Sequence, residues 1–296
     1  MRVGCDLPYF EDPGEIRAFA RGVEALGFDH LGFSEHIVSA RGTNYPDGFS
    51  PDDPWHETMT TLGFLAAVTT TIELCSAMLL LPLRSAVLAA KQAAEIDLLS
   101  NGRLRLGVAL GWNREEVRAL GVQPATRASR FEEQIEVLRA LWTSDHVEFR
   151  GAYHDLDGVS LHPRPSRTIP IWMGAGHFGS GGVPGPGANT RMARLGDGWK
   201  MFAPLSFDLP RADAAIGALR AAVEAQGRNP LHFGIEARLA PQFVPEAEWA
   251  ETVEHWTECG VSHLGLANRR GAGGVDQELA RLERFATTTK HLWCRS

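Results

Sequence analysis

Short β-rich segments alternate with longer amphipathic segments along the whole chain, and this alternation constrains the fold more than any other feature. The predicted strands span residues 2–7, 30–34, 72–79, 103–109, 169–174, 198–202, 232–239 and 263–267. The predicted helices span residues 14–26, 56–70, 85–99, 127–142, 190–195, 212–226, 246–259 and 277–287, many with apolar residues at helical intervals. Such alternation is typical of parallel strands joined by crossover helices, in an open doubly wound sheet or a closed barrel. Eight repeats without a linker favour closure, so we predict the α/β class and a single (β/α)8 TIM barrel domain over residues 1–296, with loop insertions at its C-terminal face.

The composition narrows the possible partners. A length of 296 residues suits one α/β barrel, and the net charge of -7 gives no electrostatic reason to bind nucleic acid or an anionic membrane. No apolar run approaches the ~20 residues of a membrane span. The four cysteines, Cys5, Cys75, Cys259 and Cys294, lack C-x-x-C or zinc-finger spacing and resemble reduced thiols. We expect a cytoplasmic protein that acts on a small-molecule substrate, without nucleic-acid or membrane partners.

Three irregular stretches interrupt the alternation. Residues 38–54 are polar, rich in Gly, Pro and Asp, and follow the second strand, so they form a long loop of the kind that often serves as a lid. Residues 174–189 are too rich in Gly and Pro to be regular structure. Residues 146–165 are interpreted as a short excursion with a Gly turn before the fifth strand.

The stretch 101–121 predicts a buried strand that continues into a helix through Gly111. Such junctions lie at the C-terminal mouth of a parallel barrel, where α/β enzymes bind ligands. Trp112 and Glu115 follow Gly111 at the end of this strand. An indole at this position either stacks on a planar ring or packs as a large apolar group, and the sequence leaves both open.

Glu35 and His36 directly follow the second strand and are the first catalytic candidates. In a barrel this position faces the mouth, and an imidazole is suited to exchange protons near neutral pH. The alternative is a histidine that only stabilises the loop by hydrogen bonding.

Gly174, Ala175 and Gly176 begin a G-x-G-x-x-G match that runs to Gly179. The match is weak as a dinucleotide fingerprint, because a further Gly/Pro run separates it from the next helix. Small residues would still let backbone N–H groups approach an anion beside a helix N-terminus, with Arg191 nearby. The segment is either a phosphate cradle or a flexible surface loop.

The sequence motifs give little support for a metal site or for a hydrolase. His56-Glu57 lacks the second histidine of an H-E-x-x-H motif, and Asp52-Asp53 does not resemble a calcium loop. Neither a nucleophile elbow nor a P-loop is present. We expect no metal site.

Four motifs stand out along the chain: ELCSAMLLLPLR at 73–84, LAAKQAAEIDLLSNGR at 88–103, LGVALGW at 106–112 and ARLGDGW at 193–199. Together they resemble the bacterial luciferase-like family of flavin and deazaflavin barrel enzymes. The resemblance covers nearly the whole chain and implies a TIM barrel. The branch that uses the deazaflavin coenzyme F420 is most similar, because His36 falls where that branch places a histidine beside the deazaflavin ring.

The resemblance also implies roles for individual residues. It puts Ser76 and Ala77 at a non-prolyl cis peptide against the cofactor ring, and Trp112 and Glu115 beside the ring and its side chain. It puts the cofactor phosphate on the backbone of residues 174–176. The Gly/Pro-rich stretch 177–188 departs from the short link usual in the family. A homodimer, formed through helices near the second and third strands, is also implied.

These observations lead to one expected activity with two alternatives. We expect hydride transfer between F420 and a small organic substrate, with His36 donating or accepting the proton. The first alternative is an FMN-dependent monooxygenase that receives reduced flavin from a separate reductase and activates oxygen. The second is a non-catalytic protein that binds flavin or deazaflavin.

Overall fold

The computed structural model describes residues 1–39, 50–176, 182–201, 209–267 and 273–293. Its strands are β1 (Arg2–Asp6), β2 (His30–Phe33), β3 (Glu73–Ser76), β4 (Leu79–Leu80), β5 (Leu104–Ala109), β6 (Val147–Arg150), β7 (Asp155–Val159), β8 (Ile171–Ala175), β9 (Gly198–Met201), β10 (Gly234–Leu239) and β11 (His263–Leu266). Its α-helices are α1 (Pro13–Ala25), α2 (Thr58–Val68), α3 (Ala86–Leu99), α4 (Arg114–Ala119), α5 (Arg127–Thr143), α6 (Pro186–Leu195), α7 (Leu209–Ala225), α8 (Trp249–Glu258) and α9 (Gly274–Trp293).

Eight parallel strands close into a barrel in the order β1, β2, β3, β5, β8, β9, β10, β11 and back to β1. Closure is visible in the register, since β1 pairs Gly4 with His30 of β2 and Arg2 with His263 of β11. The predicted TIM barrel is therefore confirmed. In the described part of the chain, no helix has both the length and the apolar character needed to cross a bilayer.

Alternation along each strand separates an apolar outer layer from a charged interior. In β5, Leu104, Leu106 and Val108 are fully buried in the continuous apolar cluster that the strands share with the surrounding helices. Arg105 lies between them in sequence and turns to the opposite face, because successive side chains of a strand point to opposite sides. The outer layer attaches the helices, and the inner face is free to carry polar groups.

The barrel interior contains a buried ionic network. Glu236 of β10 accepts hydrogen bonds at 2.6 Å from both Lys200 of β9 and Arg105 of β5. Lys200 also contacts Asp6 at 3.1 Å, and Arg105 contacts Glu73 at 2.9 Å. The opposite charges hold the pKa of Glu236 well below its usual range although burial acts to raise it. The network joins five strands across the barrel axis.

Some predicted boundaries were wrong. The strand predicted over 72–79 breaks after Ser76 and resumes as the short β4. The stretch 174–189 is partly regular, because Gly174 and Ala175 complete β8 and α6 already begins at Pro186, before the predicted 190. A proline in the first turn suits a helix start because its missing N–H is not needed there.

The excursion at 146–165 contains an antiparallel hairpin of β6 and β7 outside the barrel. Residues 40–49 of the predicted lid and 177–181 of the Gly/Pro-rich stretch lie outside the described residues.

Candidate active site

His36 lies just beyond the C-terminal end of β2 and is only 9% exposed. Its Nδ1 is 2.9 Å from Oε2 of Glu116, a residue of α4 that is itself buried. The other carboxylate oxygen, Oε1, accepts hydrogen bonds from the backbone N–H groups of Ile37 at 2.6 Å and Val38 at 3.4 Å. One carboxylate therefore fixes both the imidazole and the backbone that leads into the 38–54 loop.

The short helix α4 places Glu116 in this position. The side chain of Asn113 caps the helix by accepting hydrogen bonds from the N–H groups of Glu115 and Glu116. Val117 then packs in a small apolar cluster with Leu80 and Leu83. These contacts turn Glu116 inward toward His36.

Glu115 turns the other way. Its side chain is 58% exposed and pairs with Arg118 at 2.9 Å. Sequence reasoning chose Glu115 from the resemblance and missed Glu116. An Asn cap followed by an acidic pair marks the start of a helix, but only the packing of Val117 decides which of two adjacent carboxylates faces inward.

Two indoles flank His36. The ring of Trp55 lies 4.6 Å from the imidazole centroid at 79°, and that of Trp112 lies 5.8 Å away at 88°. Trp112 is 38% exposed while it contacts His36. Trp55 also contacts Tyr9, with ring centroids 4.3 Å apart. His36 thus sits in an aromatic enclosure at the mouth of the barrel.

Glu35 is buried and faces different partners from its neighbour. Its carboxylate forms an ion pair with Arg84 and accepts a hydrogen bond of 2.9 Å from the N–H of Leu80. Burial raises the pKa of Glu35, and the Arg84 guanidinium opposes that rise. Arg84 also pairs with Glu57 at 2.7 Å. Glu35 ties the end of β2 to the segment that follows β4.

Ser76 is the last residue of β3 and Ala77 follows it, inside the stretch predicted as strand 72–79, and the cis peptide joins Ala77 to Met78. The expected position, between Ser76 and Ala77, was wrong by one residue. Ser76 still belongs to the strand, where its hydroxyl donates to the carbonyl of Gly107 at 2.7 Å. Ala77 is held by the hydroxyl of Ser34, which donates to its carbonyl at 2.7 Å.

The predicted phosphate-binding residues lie at the end of β8 and in α6. Gly176 has a φ of +88°, and a Cβ there would lie 1.9 Å from the carbonyl oxygen of Gly182. Among the described residues, no side chain caps the start of α6, and the buried Oδ1 of Asn189 has no hydrogen-bond partner. Arg191 forms an ion pair of 2.9 Å with Glu132.

Contacts connect these residues around one rim of the barrel. Trp112 and Glu116 follow β5, and both contact His36 after β2. A Cβ on Gly174 would lie 2.7 Å from Cγ of Met78, so the turn after β3 reaches the end of β8. Gly111, with a φ of +75°, accepts a hydrogen bond from Arg127 through its carbonyl. The ends of four adjacent strands, β2, β3, β5 and β8, form the candidate site.

Comparison with known proteins identifies the class. The family model described as luciferase-like monooxygenase matches residues 1–292. An uncharacterized protein of Mycobacterium tuberculosis is 31% identical over 281 residues, which cover 91% of this chain and 92% of that protein. The F420-dependent glucose-6-phosphate dehydrogenase of Kineococcus radiotolerans is 30% identical over 276 residues, which cover 91% of this chain and 75% of that enzyme. The chain belongs to the luciferase-like monooxygenase family.

The fold agrees with solved structures. The monooxygenase RslO1 of Streptomyces bottropensis superposes with a TM-score of 0.78 at 19% identity, covering 99% of this chain and 100% of that one. At this identity the likeness concerns the barrel alone. The predicted resemblance to the luciferase-like family is confirmed, and the family is one of enzymes with flavin or deazaflavin chemistry.

Proposed function

We propose that this protein is an F420-dependent oxidoreductase that transfers a hydride between the deazaflavin and a small organic substrate. The observation that carries the proposal is a buried histidine at the barrel mouth, held by Glu116 between two indoles. A general acid or base must be positioned within reach of the reacting group, and imidazole exchanges protons near neutral pH. Similarity to an F420-dependent dehydrogenase supports this cofactor.

Each residue of the site would have a separate role in hydride transfer. In the oxidising direction His36 takes the hydroxyl proton as the substrate carbon loses its hydride, and in the reverse direction it returns that proton. We assign the exchange to Nε2, because Nδ1 contacts Glu116. Glu116 orients the ring, and Trp55 and Trp112 limit access of water to it. Glu35 acts as a positioning residue, since its carboxylate holds Arg84 and Leu80.

Two features of the rim support a phosphate-bearing cofactor. The start of α6 lacks a side-chain cap among the described residues, so its N–H groups suit an anion. We propose that these groups, with the backbone of Gly174, Ala175 and Gly176, hold the phosphate and that Arg191 adds positive charge. The cofactor itself would supply the hydride chemistry.

The ring would lie near Ser76, Ala77, Gly111 and Trp112. The turn after β3 and the partly exposed indole of Trp112 would provide its walls. Glu115 stays a predicted contact for the cofactor side chain at the edge of the site.

A second candidate is an FMN-dependent monooxygenase. The description of the matching family favours it, since that family is named for this reaction. The same rim would hold the phosphate of FMN, and a separate reductase would supply reduced flavin. The reductase, a homodimer and a cytoplasmic location stay predictions.

Titration of the apoprotein with F420 and with FMN separates the two candidates. We expect F420 to bind at least about tenfold more tightly, a difference of about 1.4 kcal/mol, measured by quenching of cofactor fluorescence. Tighter binding of FMN, with oxygen uptake when reduced FMN is supplied, would favour the monooxygenase.

The catalytic role of His36 is tested with a panel of alcohols and phosphorylated sugars. The variant His36→Ala should bind the cofactor within a few fold of the original protein but turn over the best substrate at least about 100-fold more slowly, the usual scale for a general acid or base. His232→Ala, at an exposed histidine, is the matched control. Unchanged turnover in His36→Ala would reject the role. Cofactor binding without turnover of any panel member would favour a non-catalytic binding protein.

A further inference from the structure

We propose that Asp213, His255 and Cys259 form a zinc site on the outside of the barrel, between α7 and α8. The three donor atoms already converge: Sγ of Cys259 lies 3.0 Å from Oδ1 of Asp213 and 3.4 Å from Nε2 of His255. The same Nε2 lies 3.1 Å from the same Oδ1. Thiolate, imidazole and carboxylate are the ligands that zinc uses in proteins.

The size of this triangle matches tetrahedral zinc. Bonds of about 2.3 Å to sulfur and about 2.0 Å to nitrogen and oxygen put tetrahedral ligand atoms about 3.3–3.6 Å apart. The observed separations of 3.0, 3.1 and 3.4 Å are slightly shorter. Movements of a few tenths of an ångström would seat the ion. Because the side chain of Asp213 is 45% exposed, water can reach the cluster as a fourth ligand.

The arrangement differs from a nucleophilic triad. A triad needs the acid and the nucleophile on different ring nitrogens, so that the imidazole relays a proton between them. Here the thiol and the carboxylate both meet Nε2. Three donors that contact one another can chelate one cation, but they cannot pass a proton through the ring.

The elements hold the ligands in place. His255 and Cys259 are four residues apart, at the end of α8 and at its C-cap, so they share one face of the helix. Arg220 of α7 donates to the carbonyls of Cys259 at 2.7 Å and Gly260 at 3.0 Å, which fixes this end of α8 against α7. The ring of His255 also packs edge-on against Trp256, with centroids 5.2 Å apart. His255 and Cys259 are therefore presented on one face of α8 by contacts that need no metal.

Spacing rules did not find this cluster, and the expectation of no metal site rested on them. A helical His-x-x-x-Cys pair supplies only two ligands, and the third, Asp213, lies 42 residues earlier in the sequence. Only the packing of α7 against α8 brings it close.

The site is tested with zinc and cobalt alone on the full-length protein stripped by a chelator. We expect one zinc per chain, measured by competition with a chromophoric chelator, and release of the Cys259 thiol proton on binding. Cobalt should give the near-ultraviolet thiolate-to-cobalt absorption band. Each of Cys259→Ser and His255→Ala should weaken zinc binding at least about tenfold, and Cys259→Ser should also abolish the cobalt band.

His232→Ala serves as the matched control because it removes an exposed histidine, in the turn before β10, that is not one of the three donors. It should bind zinc as the original protein does. Cofactor binding should not change in any of these variants, which separates this test from that of the active site. Absence of zinc binding, or equal binding in Cys259→Ser and His255→Ala, would overturn the proposal.

Discussion

At the scale of single residues, the buried carboxylate of Glu116 determines where the imidazole of His36 lies. Its two oxygens contact Nδ1 of His36 and the N–H groups of Ile37 and Val38. A hydrogen bond to a charged group is stronger than one between two neutral groups. The carboxylate is therefore more than a space-filling group.

Replacing Glu116 by Gln should lower turnover about tenfold or more, because the charge beside the imidazole ring is lost. The loss should be smaller than in His36→Ala, because the amide oxygen can still accept the backbone hydrogen bonds. The KM should change less than kcat, since substrate and cofactor still bind. Steady-state kinetics and the thermal midpoint measure the two effects. Glu148→Gln, on the exposed hairpin strand β6, is the control. If a lower thermal midpoint fully explains the loss of turnover in Glu116→Gln, the positioning role is contradicted.

At the scale of elements, the link from β8 into α6 depends on a glycine. Gly176 has a φ of +88°, a conformation that other L-residues rarely adopt, and it lies against the carbonyl of Gly182. Its backbone is also part of the predicted phosphate cradle. A change there should affect both stability and cofactor binding.

Gly176→Ala should lower the free energy of unfolding by about 1–3 kcal/mol, the scale of backbone strain. It should weaken cofactor binding at least about tenfold, the cost of one hydrogen bond to a charged group. Gly217→Ala, within α7, is the matched control, because a Cβ there meets no atom within 4 Å. The control should keep its affinity, and its stability should rise by less than about 1 kcal/mol. Urea unfolding and fluorescence titration give both quantities. Equal affinity in the two variants would exclude residue 176 from the cradle.

The order of the elements could be predicted from the sequence because each barrel strand and helix carries its own hydrophobic period. The predicted ends of helices and strands were wrong where single residues, rather than the hydrophobic period, decide where an element begins or ends. Pro186 starts α6 within a stretch that composition marks as irregular, and β3 breaks inside a continuous apolar run.

The candidate site could be predicted only in part, for a related reason. His36 and Gly176 stand at strand ends, which sequence position marks. Glu116 and Arg84 reach His36 and Glu35 from other elements, and such contacts depend on how those elements pack. No local sequence pattern therefore reveals that these residues contact His36 and Glu35.

At the scale of the whole molecule, the charged barrel interior couples stability to pH. His263 packs edge-on against Trp172, with ring centroids 4.8 Å apart. Burial, and then the positive charge of Arg105, lower the pKa of His263 from 6.5 to about 2. An unfolded chain binds a proton at this imidazole below about pH 6.5, whereas the folded chain keeps it neutral. Acidification therefore favours the unfolded state.

His263→Gln should remove this part of the pH dependence. Between about pH 7 and about pH 5, the original protein should lose about 2 kcal/mol more stability than the variant, since each pH unit below 6.5 costs about 1.4 kcal/mol. Urea unfolding at both pH values measures the difference, and the comparison of slopes is insensitive to any constant cost of the substitution. His232→Gln, at an exposed histidine, should keep the original slope. Parallel slopes in His263→Gln and the original protein would show that His263 is protonated in the folded state.

The hydrogen bonds that the N–H groups of Ile37 and Val38 donate to Glu116 also matter for protein engineering. Libraries that rebuild the segment after β2 would disturb His36 whenever they displace the backbone N–H groups of Ile37 or Val38. Diversity introduced beyond residue 38 leaves those two hydrogen bonds intact, so that part of the loop can be varied while the support for the proposed role of His36 is kept.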